Sequence, residues 1–263
     1  MAFVSVNGID LHYTIDGTQG PWITLSHSLA CNLSAWDAQA ELLKKDFRVL
    51  RFDTRGHGLS SAPAGPYTLE ELAADVAGLF RHLGITQTHW LGLSMGGMIG
   101  QTFALAYPSV FQSLILSDTT SRRPPQAAAM WGERIRMAQA QGMQGVLEST
   151  LARWFTPAYR QTHPQVMARI GKGILETPVE GFCGCCHAIS KVDLLDRLHE
   201  IRCPTLIMVG EHDHGTPPEM SRLMHERMAG SEFVVIPDAG HIASIEQEAL
   251  FNAAILKFLQ AVA

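Results

Sequence analysis

Three residues far apart in the chain have types and settings suited to nucleophilic chemistry: Ser94, Asp213 and His241. Ser94 stands in Gly92-Leu93-Ser94-Met95-Gly96, a G-x-S-x-G run that follows the apolar stretch 89–91. A serine on a sharp turn from strand to helix lifts its hydroxyl above a sheet, where a base can reach it. Side chains two residues before and after it would crowd the strand and the helix, so glycine suits both positions. Gly97 and Gly100 extend the small surface along the next helix. The bland alternative is an ordinary glycine-rich turn. The strand before the motif and the helix after it favour the nucleophile.

The base and acid follow in the chain order that such a serine requires, Ser then Asp then His. Glu211-His212-Asp213-His214 comes after the apolar run 204–210, and Asp238-Ala239-Gly240-His241 after the run 232–237. Asp213 and His241 therefore belong at the C-terminal ends of strands, the edge where open α/β sheets carry their sites. His241 Nε2 would take the serine proton, and Asp213 would hold the other ring nitrogen. Asp118, after the run 113–117, is the best alternative acid; Glu211 and Asp238 are further carboxylates near strand ends. The oxyanion of a tetrahedral intermediate needs preorganised N–H donors. Met95, at the start of the helix, supplies one. The loop Ser26-His27-Ser28-Leu29-Ala30 supplies the other, with Leu29 favoured. His27 precedes the serine and reads as structural.

His212-Asp213-His214 could also be read as metal ligands. A metal site needs three or four convergent ligands, and nothing else supplies them. No metal and no cofactor is expected. Cys183-Gly184-Cys185-Cys186 is not a C-x-x-C pair matched by another pair. Val179, Phe182, Cys183, Cys186 and Ser190 share one helical face, which reads as a helix packing small sulfur side chains inward.

These residues need a scaffold that brings them to one edge. Short apolar runs bounded by turn signals occur at 3–6, 9–15, 22–26, 47–53, 88–94, 113–118, 204–210 and 232–237, the pattern of strands. Asn7-Gly8 joins the first two as a hairpin turn. Helical spacing marks 69–83, with Thr68 and Glu71 as a capping pair and Gly84 as the stop, and also 95–107 and 246–261. The alternation predicts an α/β fold with a mostly parallel central sheet and helices on both faces. Residues 121–190 break it. They show helical patterns interrupted by Pro124, Pro125, Pro157, Pro164 and Pro178, and they are too many for a loop. The expected organisation is core at 1–120, helical cap at 121–190 and core again at 191–263.

Composition narrows the partners. The 263 residues are 46% hydrophobic and 17% charged, with a net charge of −5. That excludes a disordered chain and argues against a nucleic-acid binder. No apolar stretch is long enough for a membrane span, and the N-terminus lacks a signal-peptide pattern. The five cysteines read as reduced thiols, and a cytoplasmic location is expected. Nothing sets an oligomeric state.

The chain resembles the α/β-hydrolase family over nearly its whole length. Beyond the serine motif it carries Asp53-Thr54-Arg55-Gly56-His57-Gly58-Leu59-Ser60, a loop with Asp53 and Arg55 as structural anchors in that family, and Ile201-Arg202-Cys203-Pro204-Thr205 before the acid. Ser26-His27-Ser28-Leu29, Leu33-Ser34-Ala35-Trp36, Phe47-Arg48-Val49-Leu50-Arg51, Gly65-Pro66-Tyr67-Thr68 and Arg153-Trp154-Phe155-Thr156 sharpen this to a resemblance to 3-oxoadipate enol-lactonases. Ser28 and Ala30 stand where hydrolases often carry glycines. The resemblance implies cofactor-free opening of a five-membered lactone in aromatic catabolism, the β-ketoadipate route.

Such a lactone carries a carboxylate, so its pocket should hold a cation. Residues 121–190 contain eight Lys and Arg against four acids, in a chain that is acidic as a whole. A relatively cationic cap suits a small anionic substrate. Arg134 and Arg153 are the candidate carboxylate ligands, with Trp131 and Trp154 as apolar walls. The competing reading places these arginines on solvent-facing helix surfaces. Other readings of the whole are a generic carboxylesterase, another lactonase or a perhydrolase with the same triad, and a non-catalytic binding protein that keeps the cavity.

Overall fold

The computed structural model describes residues 2–124 and 126–262; Pro125, one of the prolines read as interrupting the cap, lies outside them. Eight strands, β1 (Ala2–Val6), β2 (Ile9–Asp16), β3 (Trp22–Ser26), β4 (Arg48–Phe52), β5 (Thr88–Leu93), β6 (Phe111–Ser117), β7 (Thr205–Gly210) and β8 (Glu232–Ile236), form one sheet. Its order is β1-β2-β4-β3-β5-β6-β7-β8. β1 pairs with β2, and β2 with β4, antiparallel; every other pairing is parallel. Asn7 and Gly8 turn the first hairpin with φ of 48° and 76°, as the dipeptide predicts.

β5 and β7 are buried at every residue. Helices therefore cover both faces, and the strands read as continuous apolar runs. One face carries α1 (Asp37–Leu43) and α11 (Glu248–Ala261), joined through Trp36 on Phe251 and the Gln39–Asn252 hydrogen bond. The other carries α2 (Leu69–Leu83), α3 (Met95–Ala106) and α9 (Pro218–Arg227). α2 has the expected capping box between Thr68 and Glu71, and stops at Gly84 with φ 66°. The helix read at 246–261 is α11, which starts two residues later, after the short α10 (Ala243–Glu246) and Gln247. α1 and α9 escape the sequence reading because each is short and buries few apolar residues.

Between β6 and β7 the chain passes through α4 (Ala127–Gln141), α5 (Gln144–Trp154), α6 (Pro157–Thr162), α7 (Pro164–Glu176) and α8 (Val179–Ser190). The isolated bridge Arg122–Asp193 ties the two stems of this segment. α8 packs against α4 on one side and the loop 54–67 on the other. A Cβ on Gly181 would lie 1.9 Å from the Gly56 carbonyl oxygen. Cys183, Cys185 and Cys186 are all buried, so α8 hides its sulfurs on two faces rather than the one that the spacing suggested. Beneath it, Asp53 accepts the N–H groups of Leu33 and Leu59 at 2.7 and 2.9 Å, and Arg55 grips Asp75 with two bonds of 2.7 and 2.8 Å.

The parallel register aligns the strand ends that matter. Ser26 lies opposite Gly92, Leu93 opposite Ser117, and Gly210 opposite Ile236. The loops after β3, β5, β6, β7 and β8 consequently open on one rim.

Candidate active site

Ser94 is the single residue between β5 and α3 and takes φ 53°, ψ −110°. A non-glycine residue held there costs about 1–3 kcal/mol, which the surrounding packing must offset. Its N–H bonds the Ser117 carbonyl at 2.9 Å, and Thr119 Oγ1 donates to its carbonyl at 2.6 Å. The flanking glycines are sterically required. A Cβ on Gly92 would lie 2.3 Å from the Gly96 oxygen, and one on Gly96 2.1 Å from the Ser26 oxygen.

The loop after β8 carries His241 to this turn, with Nε2 2.9 Å from Ser94 Oγ. The other ring nitrogen lies 2.8 Å from Asp213 Oδ2. Asp213 sits in the loop after β7. Its Oδ1 accepts the N–H groups of Gly215 and Thr216 at 2.6 and 3.0 Å, and Thr216 Oγ1 donates to Oδ2 at 2.7 Å. Burial alone would push this carboxyl up, but His241 and the bonds from Thr216 outweigh it and hold the group below the usual carboxylate range. Hydroxyl, imidazole and carboxylate thus form one hydrogen-bonded line able to pass a proton from Oγ to Nε2 and stabilise the resulting imidazolium.

Asp118, the rival acid, lies elsewhere. Its Oδ1 accepts the Gly210 N–H at 2.8 Å and its Oδ2 the Ser117 hydroxyl at 2.6 Å. Burial and repulsion from Asp213 push its carboxyl well up. It braces the ends of β6 and β7. Glu211 and Asp238 are exposed and lie with His212, while His214 is exposed on its own. Asp213 is buried and joins neither histidine beside it in the chain.

The amides of Leu29 and Met95 donate no hydrogen bond among the described residues. Leu29 lines the cavity above Ser94. The Ser28 carbonyl, in the same planar peptide as the Leu29 N–H, accepts from His27 Nδ1 at 2.7 Å and from the Cys31 N–H at 3.2 Å. Fixing that oxygen fixes the amide on the opposite side. His27 Nε2 accepts the Thr54 N–H at 3.0 Å, so the proton sits on Nδ1. One residue on, the Ala30 N–H bonds His57 Nε2 at 2.9 Å, with Ala30 at φ 57°. Both rings are fully buried. Burial holds both pKa values down, that of His57 to about 3.

Above the serine lies a narrow cavity of about 20 Å³, bounded by Ser28, Leu29, Ala30, Ser94 and His241 below and by residues of the segment between β6 and β7 above. Trp131 and Trp154 wall it, and Arg134 and Arg153 reach it, together with a third arginine of the segment that was not among the candidate ligands, Arg123. The three guanidinium carbons stand 5.6, 5.7 and 5.7 Å from the Trp131 ring centre. Arg123 Nη1 and Arg153 Nη2 donate to the Gly215 carbonyl at 2.9 and 3.4 Å, and Arg134 Nη2 to Thr150 at 2.9 Å. None of the three forms a salt bridge among the described residues. Burial lowers the pKa of all three, that of Arg123 to about 10, with Arg153 adding repulsion. Three other cations of this segment behave differently: Arg122, Arg136 and Lys172 pair with carboxylates at the surface. Arg123 stands next to Arg122 at the cap stem, so its neighbours in sequence gave no sign that it turns inward.

Glu246 was also missed. This buried carboxylate accepts the Thr156 N–H at 3.1 Å, the Thr156 hydroxyl, and the Gly240 N–H at 2.9 Å. The Ile242 N–H bonds the Trp154 carbonyl at 3.2 Å. Together these bonds clamp the His241 loop to the end of α5.

Known proteins are similar to this chain over nearly its whole length. Residues 21–248 match the α/β-hydrolase fold family. The 3-oxoadipate enol-lactonase 2 of Acinetobacter baylyi is 32% identical over 253 residues, spanning 96% of this chain and 94% of that protein. The crystal structure of the enol-lactonase from Burkholderia xenovorans is 39% identical with a TM-score of 0.94, covering 98% of this chain and 100% of that one. A thermophilic esterase from Thermogutta terrifontis, solved with malate bound, is 34% identical with a TM-score of 0.92, covering 99% and 97%.

Proposed function

The chain belongs to the α/β-hydrolase fold family, and from that premise we propose that it is a serine hydrolase that opens a small anionic lactone, with 3-oxoadipate enol-lactone as the substrate. Ser94 Oγ attacks the ring carbonyl while His241 Nε2 takes its proton. The N–H groups of Leu29 and Met95 hold the oxyanion. The ring C–O bond breaks, the enolate oxygen leaves and takes the proton from His241, and the freed enol tautomerises to the ketone. Water then attacks the acyl-serine with His241 again as base, releasing a second carboxylate and restoring Ser94. Asp213 stays ionised throughout and orients the ring. No step calls for a metal or cofactor.

One observation carries the substrate reading. Three half-buried guanidinium groups face a serine site without any carboxylate partner among the described residues. Buried charge is expensive when unpaired, so the cavity is built for an anion. The enol-lactonase names of the relatives support the same substrate. A neutral-ester esterase is the second reading, favoured by the esterase among them. Comparing kcat/KM for the enol-lactone with that for p-nitrophenyl acetate separates the two. The lactone is expected to lead by roughly two orders of magnitude, in line with a lost charge-assisted pair of about 2–3 kcal/mol. A clear lead for the neutral ester overturns the anionic reading and leaves the triad standing. We further propose that the reaction serves aromatic catabolism in the cytoplasm.

A further inference from the structure

The number of arginines exceeds what one carboxylate can use. A carboxylate has two oxygens, and two guanidiniums, one on each side, satisfy them. The enol-lactone brings one such group. Arg123, Arg134 and Arg153 surround a single indole, and Arg123 Nε and Arg134 Nε are buried without a hydrogen-bond partner. With a monoanion bound, one guanidinium would stay uncompensated in a half-buried site.

We propose that the cavity is a two-carboxylate site, in which Arg123 is the residue that makes a dicarboxylate, the class to which the ring-opened product belongs, bind more tightly than a monocarboxylate of the same length. This rests on the reading of the cavity as the seat of an anionic lactone. The anchoring of the arginines supports it. Arg123 and Arg153 share the Gly215 carbonyl, at the loop that bears Asp213, whereas Arg134 is held by Thr150 on α5. Arg123 is therefore fixed against the core loop and Arg134 among the helices between β6 and β7, and Arg153, which also reaches Met130 Sδ at 3.1 Å, bridges the core-side and helix-side groups. A flexible chain with a carboxylate at each end can meet both groups. A lactone whose second carboxyl is still closed in the ring can meet only one. The consequence is product retention: the ring-opened dianion competes with the next substrate molecule.

Isothermal titration of the wild-type protein with hexanoate and with hexanedioate, at matched ionic strength, tests this without relying on turnover. The dicarboxylate is expected to bind about tenfold more tightly, the equivalent of one modest charge-assisted contact. Arg123→Gln, which can still donate to Gly215, is expected to bring the two ligands to within about twofold, and Arg123→Lys to restore part of the difference. Equal affinity for the two acids in the wild type, or a difference that survives Arg123→Gln in a protein of unchanged Tm, overturns the two-carboxylate site while leaving the anionic cavity intact. Failure of both acids to bind removes the anionic reading itself, and this inference with it.

Discussion

The division of labour between two buried aspartates is decided by single hydrogen bonds. Asp213 faces His241 at 2.8 Å, whereas both oxygens of Asp118 are used by Gly210 and Ser117. Asp213→Asn should lower kcat by about 10³–10⁴, as expected when the imidazole loses its orienting anion. Asp118→Asn, whose amide oxygen can still accept the Gly210 N–H, should lower it by less than about tenfold. Steady-state rates of both variants check this, and a larger loss in the Asp118 variant would reassign the acid. His57 offers a second case, read through stability. Its folded pKa is depressed to about 3, so the native ring stays neutral while the unfolded ring protonates below its ordinary 6.5. The unfolded state then holds more protons between pH 6.5 and 3, and stability must fall as pH falls through that window, by up to roughly 1.4 kcal/mol per pH unit for one histidine. His27 acts in the same direction. Urea titrations at several pH values should show the slope reduced by close to one proton in His57→Gln. An unchanged slope would mean that the ring is already charged, or that it titrates alike in both states.

At the scale of elements, the candidate nucleophile was legible in the sequence and the inward-facing side chains of α4–α8 were not. The elbow could be read because β5, the turn and α3 must each show their own local pattern, and the glycines have no substitute there. Asp213 and His241 could be placed at one rim because strand ends are marked by apolar runs that stop. Oxyanion donors are backbone groups, so residue type points to a loop but not to a particular amide. Helices of the cap carry arginines on more than one face, and spacing could not say which turn inward. Arg134 points into the cavity while Arg136, two residues on, pairs with Glu133 at the surface. Glu246 was hidden for a related reason: it reads as an ordinary first-turn acid of the C-terminal helix, and only folding sets it against Thr156 and Gly240. Replacing it by Gln puts an NH2 against at least one of those donors. Because the clamp joins the cap to the His241 loop, Glu246→Gln should lower kcat and raise KM together, each by about tenfold for a lost pair of charge-assisted bonds. A pure Tm decrease with both constants intact would reduce Glu246 to a structural prop.

The molecule as a whole separates its charge. The segment 121–190 carries eight basic side chains against four acidic ones, while the chain has a net charge of −5. The anionic substrate proposed above would be drawn toward this segment rather than toward the acidic remainder of the chain. Raising the ionic strength from about 0.01 to 0.15 M shortens the screening length from about 30 to 8 Å. It should therefore lower kcat/KM for the enol-lactone by severalfold and leave that for a neutral ester nearly flat. Parallel salt responses would show that the cap charge plays no part in capture.

All of this depends on Ser94 being activated by His241. The most direct measurement is mass spectrometry of the folded protein after exposure to a fluorophosphonate, with the adduct mapped to its peptide. One adduct on Ser94 is predicted, formed by the wild type and lost or slowed by at least about a thousandfold in His241→Ala. A folded wild-type protein that takes no label, carries it on another residue, or reacts as fast without His241 would contradict the account.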